Sequence, residues 1–197
     1  MSEYSDWNIP KPKPPPKNAG IILAGVGALL MIASAFSHAW LVPRRNSFME
    51  HVGVSPLSIH AGDESKSNFS YVSEQRDRLS GIEVDIPGVE PPSSGWPLAG
   101  LLTFIFQLVG GVGAAATAVL AWRGLRPATP IAATTVAVLG SLVALVCGAV
   151  FVIAKPSDMD QLVIGWGFWA FGLGSVGALV GAQFLAKHIQ PVDPDLV

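Results

Sequence analysis

The sequence predicts an all-α membrane protein, a four-helix transmembrane bundle with a small extracytoplasmic loop domain that carries strand-like patterning. Composition is the first observation behind this. Half of the 197 residues are hydrophobic and 13% are charged, against roughly 25% charged in an ordinary soluble domain. The second is how the apolar residues are grouped. They fall into four blocks, Ala19–Val42, Trp96–Trp122, Ile131–Ala154 and Leu162–Ala186, and none contains Asp, Glu, Lys or Arg. Each is longer than the roughly 20 residues needed to cross a hydrocarbon core about 30 Å thick. The third is the single long connection, residues 43–95, set against two short ones.

Residues 1–18 precede the first block as a tail whose Lys11–Lys17 run is rich in proline and therefore extended, because proline fixes φ and offers no backbone donor. Such a run reads as a stiff basic spacer at anionic headgroups, or as a ligand for an aromatic groove. Block 19–42 has the basic-then-apolar order of a signal peptide, with small residues at Ala33-Ser34-Ala35 and Ser37-His38-Ala39 where a peptidase would cut. Its apolar run continues past both sites, however, and Gly20, Ala24 and Ala28 give it a small-residue face for packing. We read it as a retained first span.

Basic residues orient the spans. With the N-terminus inside, Lys11, Lys13, Lys17, Arg123, Arg126 and Lys187 flank the cytoplasmic face, and Arg44, Arg45 and Lys155 flank the other. This places a multi-pass chain in the cell membrane with both termini cytoplasmic and residues 43–95 outside. Within that loop three runs alternate as strands do: Phe48, Glu50, Val52 and Val54; Asn68–Ser73 around Phe69 and Tyr71; and Ile82, Val84 and Ile86. Ser73–Arg78 reads as a short helix or a charged turn. Connections 123–130 and 155–161 are short enough to make the spans 96–122, 131–154 and 162–186 antiparallel neighbours. Residues 187–197 are a short tail with Pro191 and Pro194.

The spans carry small residues four apart. Gly110 and Gly111 precede Ala114 and Ala115; Gly140, Ala144 and Gly148 follow one another; and Gly174 lies in a row with Ala170, Ala178, Ala182 and Ala186, beside Gly177 and Gly181. This spacing lets backbones approach, so that dispersion replaces the hydrophobic drive that lipid cannot supply. The bundle itself uses such surfaces, and a homo-oligomer is their other outlet. Trp40, Trp96, Trp166 and Trp169 are expected at the outer interface and Trp122 at the inner one, as an aromatic belt.

Chemistry-bearing motifs are scarce. Cys147 is the one cysteine and lies mid-span, which excludes disulfides and thiolate metal sites within the chain. His38 and His188 fall at opposite faces, so haem ligation is not expected. His51 and His60 with Glu50, Asp63 and Glu64 lack any zinc spacing, and we expect no metal and no cofactor. The sequon Asn68-Phe69-Ser70 would matter only in a eukaryotic secretory pathway. A net charge of −2 gives no reason to expect nucleic acid.

The layout over residues 19–186, with Trp40 just before the long loop, resembles the claudin-like tetraspan group, although the loop holds neither a Gly-Leu-Trp motif nor a cysteine pair. The resemblance implies a contact or scaffolding role through the loop. We therefore expect a non-enzymatic integral membrane protein, a scaffold or accessory subunit, that meets lipid through its spans and a protein partner through residues 43–95. The alternative is a transport or channel component, for which Thr103, Gln107, Thr134, Thr135 and Gln183 are the polar candidates.

Overall fold

The computed structural model describes residues 17–44, 51–81, 92–123 and 128–186. It is mostly helical, and four helices are long and apolar enough to cross a membrane: Asn18–Ala35, Gly95–Arg123, Ile131–Ile153 and Trp166–Ala186. In chain order the long helices are α1 (Lys17–Ala35), α3 (Gly95–Arg123), α4 (Ala128–Ile153) and α5 (Trp166–Ala186), with a short helix α2 (Asn68–Ser80) outside the bundle. Pro97 and Pro130 both sit in first helical turns, where the missing N–H costs nothing.

The first helix stops at Ala35, short of the predicted Val42. The Trp40 indole donates from Nε1 to the carbonyl of Ser34 at 2.7 Å, and Ser37 N reaches the same oxygen at 3.2 Å, so the helix end is capped by the chain folding back. Residues Leu41–Pro43 then run as strand β1. The predicted start of the fourth span is corrected in the same way: Leu162–Ile164 is strand β5, and α5 begins at Trp166. Leu41 pairs with Ile164, Val42 with Val163 and Pro43 with Leu162, so both helix-like apolar ends are instead partners in a ladder.

Three more strands, β2 (Val52–Val54), β3 (Ser58–Ala61) and β4 (Glu64–Ser67), complete an antiparallel five-stranded sheet in the order β4-β3-β2-β1-β5. Four strands come from the long connection and the fifth from the short one before α5, so the two connections form one cap on one end of the bundle. Gly62, at φ 61, provides the left-handed residue of the tight Gly62-Asp63 turn, which closes opposite Ala61 and Glu64. Lys155 gathers the short connection around its ammonium, donating to the carbonyls of Met159 (3.1 Å), Asp160 (3.3 Å) and Leu162 (2.8 Å).

Asn68–Ser73, expected to be a strand, is the start of α2, and Ser73–Arg78 continues it. Ser67 is its N-cap, accepting from Ser70 N at 3.0 Å, and the helix buries Asn68 and Val72, one turn apart. Of the first predicted run, Val52 and Val54 are in β2; Phe48 and Glu50 lie outside the described residues, as do the Ile82–Ile86 run, residues 1–16 of the N-terminal tail and the whole of the 187–197 tail.

Where cap meets bundle the core is aromatic. Trp96 stacks on Phe151 with centroids 5.0 Å apart and donates from Nε1 to the Phe151 carbonyl at 2.9 Å. Trp40 lies 4.8 Å from Phe171 and meets Phe151 and Phe168 edge-on. Deeper in the bundle the core changes character and is built from Ala28, Met31, Ala114, Ala137, Ala178 and Ala182.

Candidate functional site

The glycines predicted for helix packing face neighbouring helices, whereas Ala186, at the end of the α5 row, is exposed. A methyl group added at Gly174 would sit 2.8 Å from Met31 N and 3.0 Å from the Gly27 carbonyl. Gly181 abuts the backbone of Ala24, while Gly177 is looser, 3.3 Å from the Leu23 carbonyl. Gly110 and Gly140 cross backbone to backbone: a methyl on Gly140 would sit 2.7 Å from Gly110 N, and one on Gly110 would sit 2.7 Å from Ser141 N and 2.9 Å from the Gly140 carbonyl carbon. Gly111 faces Ile32 and Met31, Gly148 faces the Phe171 ring, and Ala144 is fully buried. These contacts are between helices of the same chain.

The tryptophans divide. Trp122, Trp166 and Trp169 are exposed on the outer surface. Trp40 and Trp96 are not surface anchors: both are buried in the aromatic core, their indole N–H groups spent on the carbonyls of Ser34 and Phe151. Burial of this kind satisfies the polar handle inside the fold instead of at the headgroups.

The polar candidates for a transport path separate as well. Gln107 is fully buried and donates to the Met31 carbonyl at 2.7 Å and to Ser34 Oγ at 2.6 Å, tying α3 to α1. Thr103 spends its hydroxyl on the Ala99 carbonyl one turn back. Thr134 is buried, while Thr135 and Gln183 lie on the outer surface. Among the described residues, three buried side-chain polar atoms have no hydrogen-bond partner: Gln107 Oε1 and Ser175 Oγ in the bundle and Asn68 Oδ1 in the cap.

Outside the bundle the cap holds two constellations. Strand register places Ile59 opposite Lys66 and Ala61 opposite Glu64, so all four share the sheet face that looks toward α2. Between that face and the helix lies an open groove of about 210 Å³, completed by Tyr71, Glu74, Gln75 and Arg78. Lys66 bonds Glu74 at 2.8 Å across it, with both side chains about half exposed, and this hydrogen bond holds the Glu74 carboxyl below its usual range. A screened surface pair of this kind shapes the rim more than it stabilises the fold.

At the groove's inner end the Tyr71 hydroxyl donates to Asp158 of the short connection, so the floor is fixed to the second loop. Burial, and then that hydrogen bond, push the phenol far above its ordinary value, which keeps it a donor. Asn68 anchors the other side by donating to the carbonyls of Ser55 (3.1 Å) and Pro56 (2.8 Å). The sequon asparagine is thus buried at the start of α2, against the turn at Ser55 and Pro56. Gly100 of α3 leaves room for the Pro56 carbonyl, which seats this turn on the bundle. No local spacing in the sequence announces these long-range partners.

On the opposite sheet face His60 and His38 meet with ring centroids 3.7 Å apart, and His60 Nε2 lies 2.8 Å from Ser58 Oγ. Gly53, paired with His60, makes room for the His38 carbonyl. Burial, and then the His38 charge, lower the His60 pKa below its ordinary 6.5. Unfolded His60 therefore takes up a proton before folded His60 does, so its contribution is present above 6.5 and lost as pH falls below it. The protection factors of the β3 amides, in which the intrinsic slowing of exchange at lower pH is divided out, should accordingly fall as pH drops from about 7.5 to 5.5, and His60→Gln should flatten that dependence. An unchanged pH profile in the variant would reassign the effect to another group. Among the described residues no three His, Cys, Asp or Glu side chains are grouped closely enough to hold a metal ion.

Fold and site together define a membrane-embedded protein with four span-like helices under a sheet cap. No protein-family profile matches the chain, and no curated protein sequence matches it.

Proposed function

We propose that this is a non-enzymatic protein of the cell membrane, a scaffold, accessory subunit or contact protein, whose cap meets a protein partner on the extracytoplasmic side. The observation that carries the reading is the union of two separate connections into one sheet domain with a shaped groove, braced by Tyr71–Asp158 and by β1–β5. The spans by contrast hold no Asp, Glu, Lys or Arg between Asn18 and Ala35, or within the other apolar blocks. A claudin-like tetraspan layout agrees with such a role. The lysines of the N-terminal tail and Arg123 and Arg126 support cytoplasmic termini in this reading. Retention of the first span is supported by Met31 and Ala24, which are fully buried among the other helices.

Gln107 Oε1 and Ser175 Oγ favour the second reading, a weakly polar path, because unpartnered buried acceptors and hydroxyls are what a permeating solute would use. One experiment separates the two. Replacing residues 46–92 by a Gly/Ser linker should leave an inserted bundle that no longer recovers its partner after crosslinking in native membranes. Full recovery with the linker, together with solute flux lost in Gln107→Leu, would replace the contact reading by transport.

A further inference from the structure

Building on the contact reading, the geometry points to the groove between α2 and the β3–β4 hairpin as the seat of one large apolar side chain of a protein partner, flanked by a carboxylate that Arg78 binds. The floor is apolar where an anchor needs it, formed by Ile59, Ala61 and the ring of Tyr71. Its volume of about 210 Å³ suits one large side chain better than a folded ligand. The floor is also held rigid. Tyr71 is fixed to Asp158, and the hairpin is closed by four paired positions from Ser58–Ser67 to Ala61–Glu64. A preorganised pocket spares a partner the ordering cost that a soft loop would impose.

Charge decides the flanking group. Lys66 and Glu74 neutralise each other across the groove, which leaves two charges of its lining without an ion pair among the described residues: Glu64 at the turn end of β4 and Arg78 on α2. Arg78 stands exposed on the last turn of α2, and among the described residues its guanidinium makes no hydrogen bond or ion pair. It acts on Tyr71 and Glu74 only through its field. A free planar fork beside an apolar floor is suited to a carboxylate held in two parallel hydrogen bonds, and arginine is enriched at the centres of interfaces for that reason. The partner therefore presents an aromatic or large aliphatic residue with Asp or Glu next to it.

The test uses the full chain, one copy per nanodisc, and a fluorescent capped tetrapeptide of sequence Gly-Trp-Asp-Gly. Two controls replace its aspartate by lysine or its tryptophan by alanine. The acidic aromatic peptide should bind at least about tenfold more tightly than either control. Arg78→Glu should remove that preference and turn it toward the lysine peptide, and Gln75→Trp, which fills the groove, should abolish binding. Ser65→Lys, on the opposite sheet face, should change nothing and shows that the cap is intact. Equal binding of the three peptides, or a preference untouched by Arg78→Glu, overturns the inference. If the linker replacement abolishes partner recovery while the peptides are not discriminated, the groove assignment falls and the contact reading stands; if neither responds, both fall.

Discussion

Gly174→Leu should prevent the bundle from accumulating, while Leu173→Ala, one residue away, should be close to neutral. Position 174 has no space to yield. Its neighbours at 2.8 and 3.0 Å are backbone atoms, Met31 N and the Gly27 carbonyl, and backbone cannot rotate aside as a side chain can. Leucine there must separate α1 from α5 and with them the buried row of Ala178 and Ala182. Overpacking that well-packed neighbours cannot relieve costs about 3 kcal/mol or more. Leu173 is 68% exposed on the outer surface, where lipid replaces the lost methyls. Gly177→Leu should fall between the two, because its nearest atom is at 3.3 Å. Yield and detergent half-life of the three variants are the measurement, and equal values for all three would contradict close packing of α5.

Trp40→Ala should unseat the cap, whereas Trp166→Ala should leave it in place. Both are tryptophans beside a span boundary, but Trp40 is 0% exposed and Trp166 is 62% exposed. Truncating Trp40 removes the Ser34 cap and the ring that Phe151, Phe168 and Phe171 surround. Large-to-small changes of this type cost about 3–5 kcal/mol in a core that cannot collapse. Near-ultraviolet circular dichroism and amide exchange in β1 and β5 would register the loss. A cap that keeps its protection in Trp40→Ala would mean that the aromatic cluster is dispensable.

That contrast also marks the limit of what the sequence discloses. Absence of charge in four long apolar blocks is a strong signal, because lipid tolerates few exceptions, and the four long helices follow it. Hydropathy cannot separate the last apolar residues of a helix from a buried strand. Leu41 and Leu162 are therefore read as span although they stand in β1 and β5. Patterning failed differently in the loop. Phe69 and Tyr71 alternate as strand residues do, yet Asn68 and Val72 are the buried pair, and their spacing is helical. Strands β3 and β4 are largely polar, so no alternation marked them. The groove was least legible: Lys66 with Glu74 and Tyr71 with Asp158 are joined by the fold alone.

The pairing of β1 with β5 has a bearing on biogenesis. Between these strands in the chain lie both α3 and α4, so the ladder can close only if the two helices together return the chain to the side it left. A skipped or inverted span would leave Leu162–Ile164 across the bilayer from Leu41–Pro43, with Lys155 and Asp158 stranded beside it. Sheet closure thus comes late in synthesis and reports on insertion already completed. A chain threaded in the wrong order would carry an open β1 edge, the sort of unpaired strand that quality control and aggregation both find.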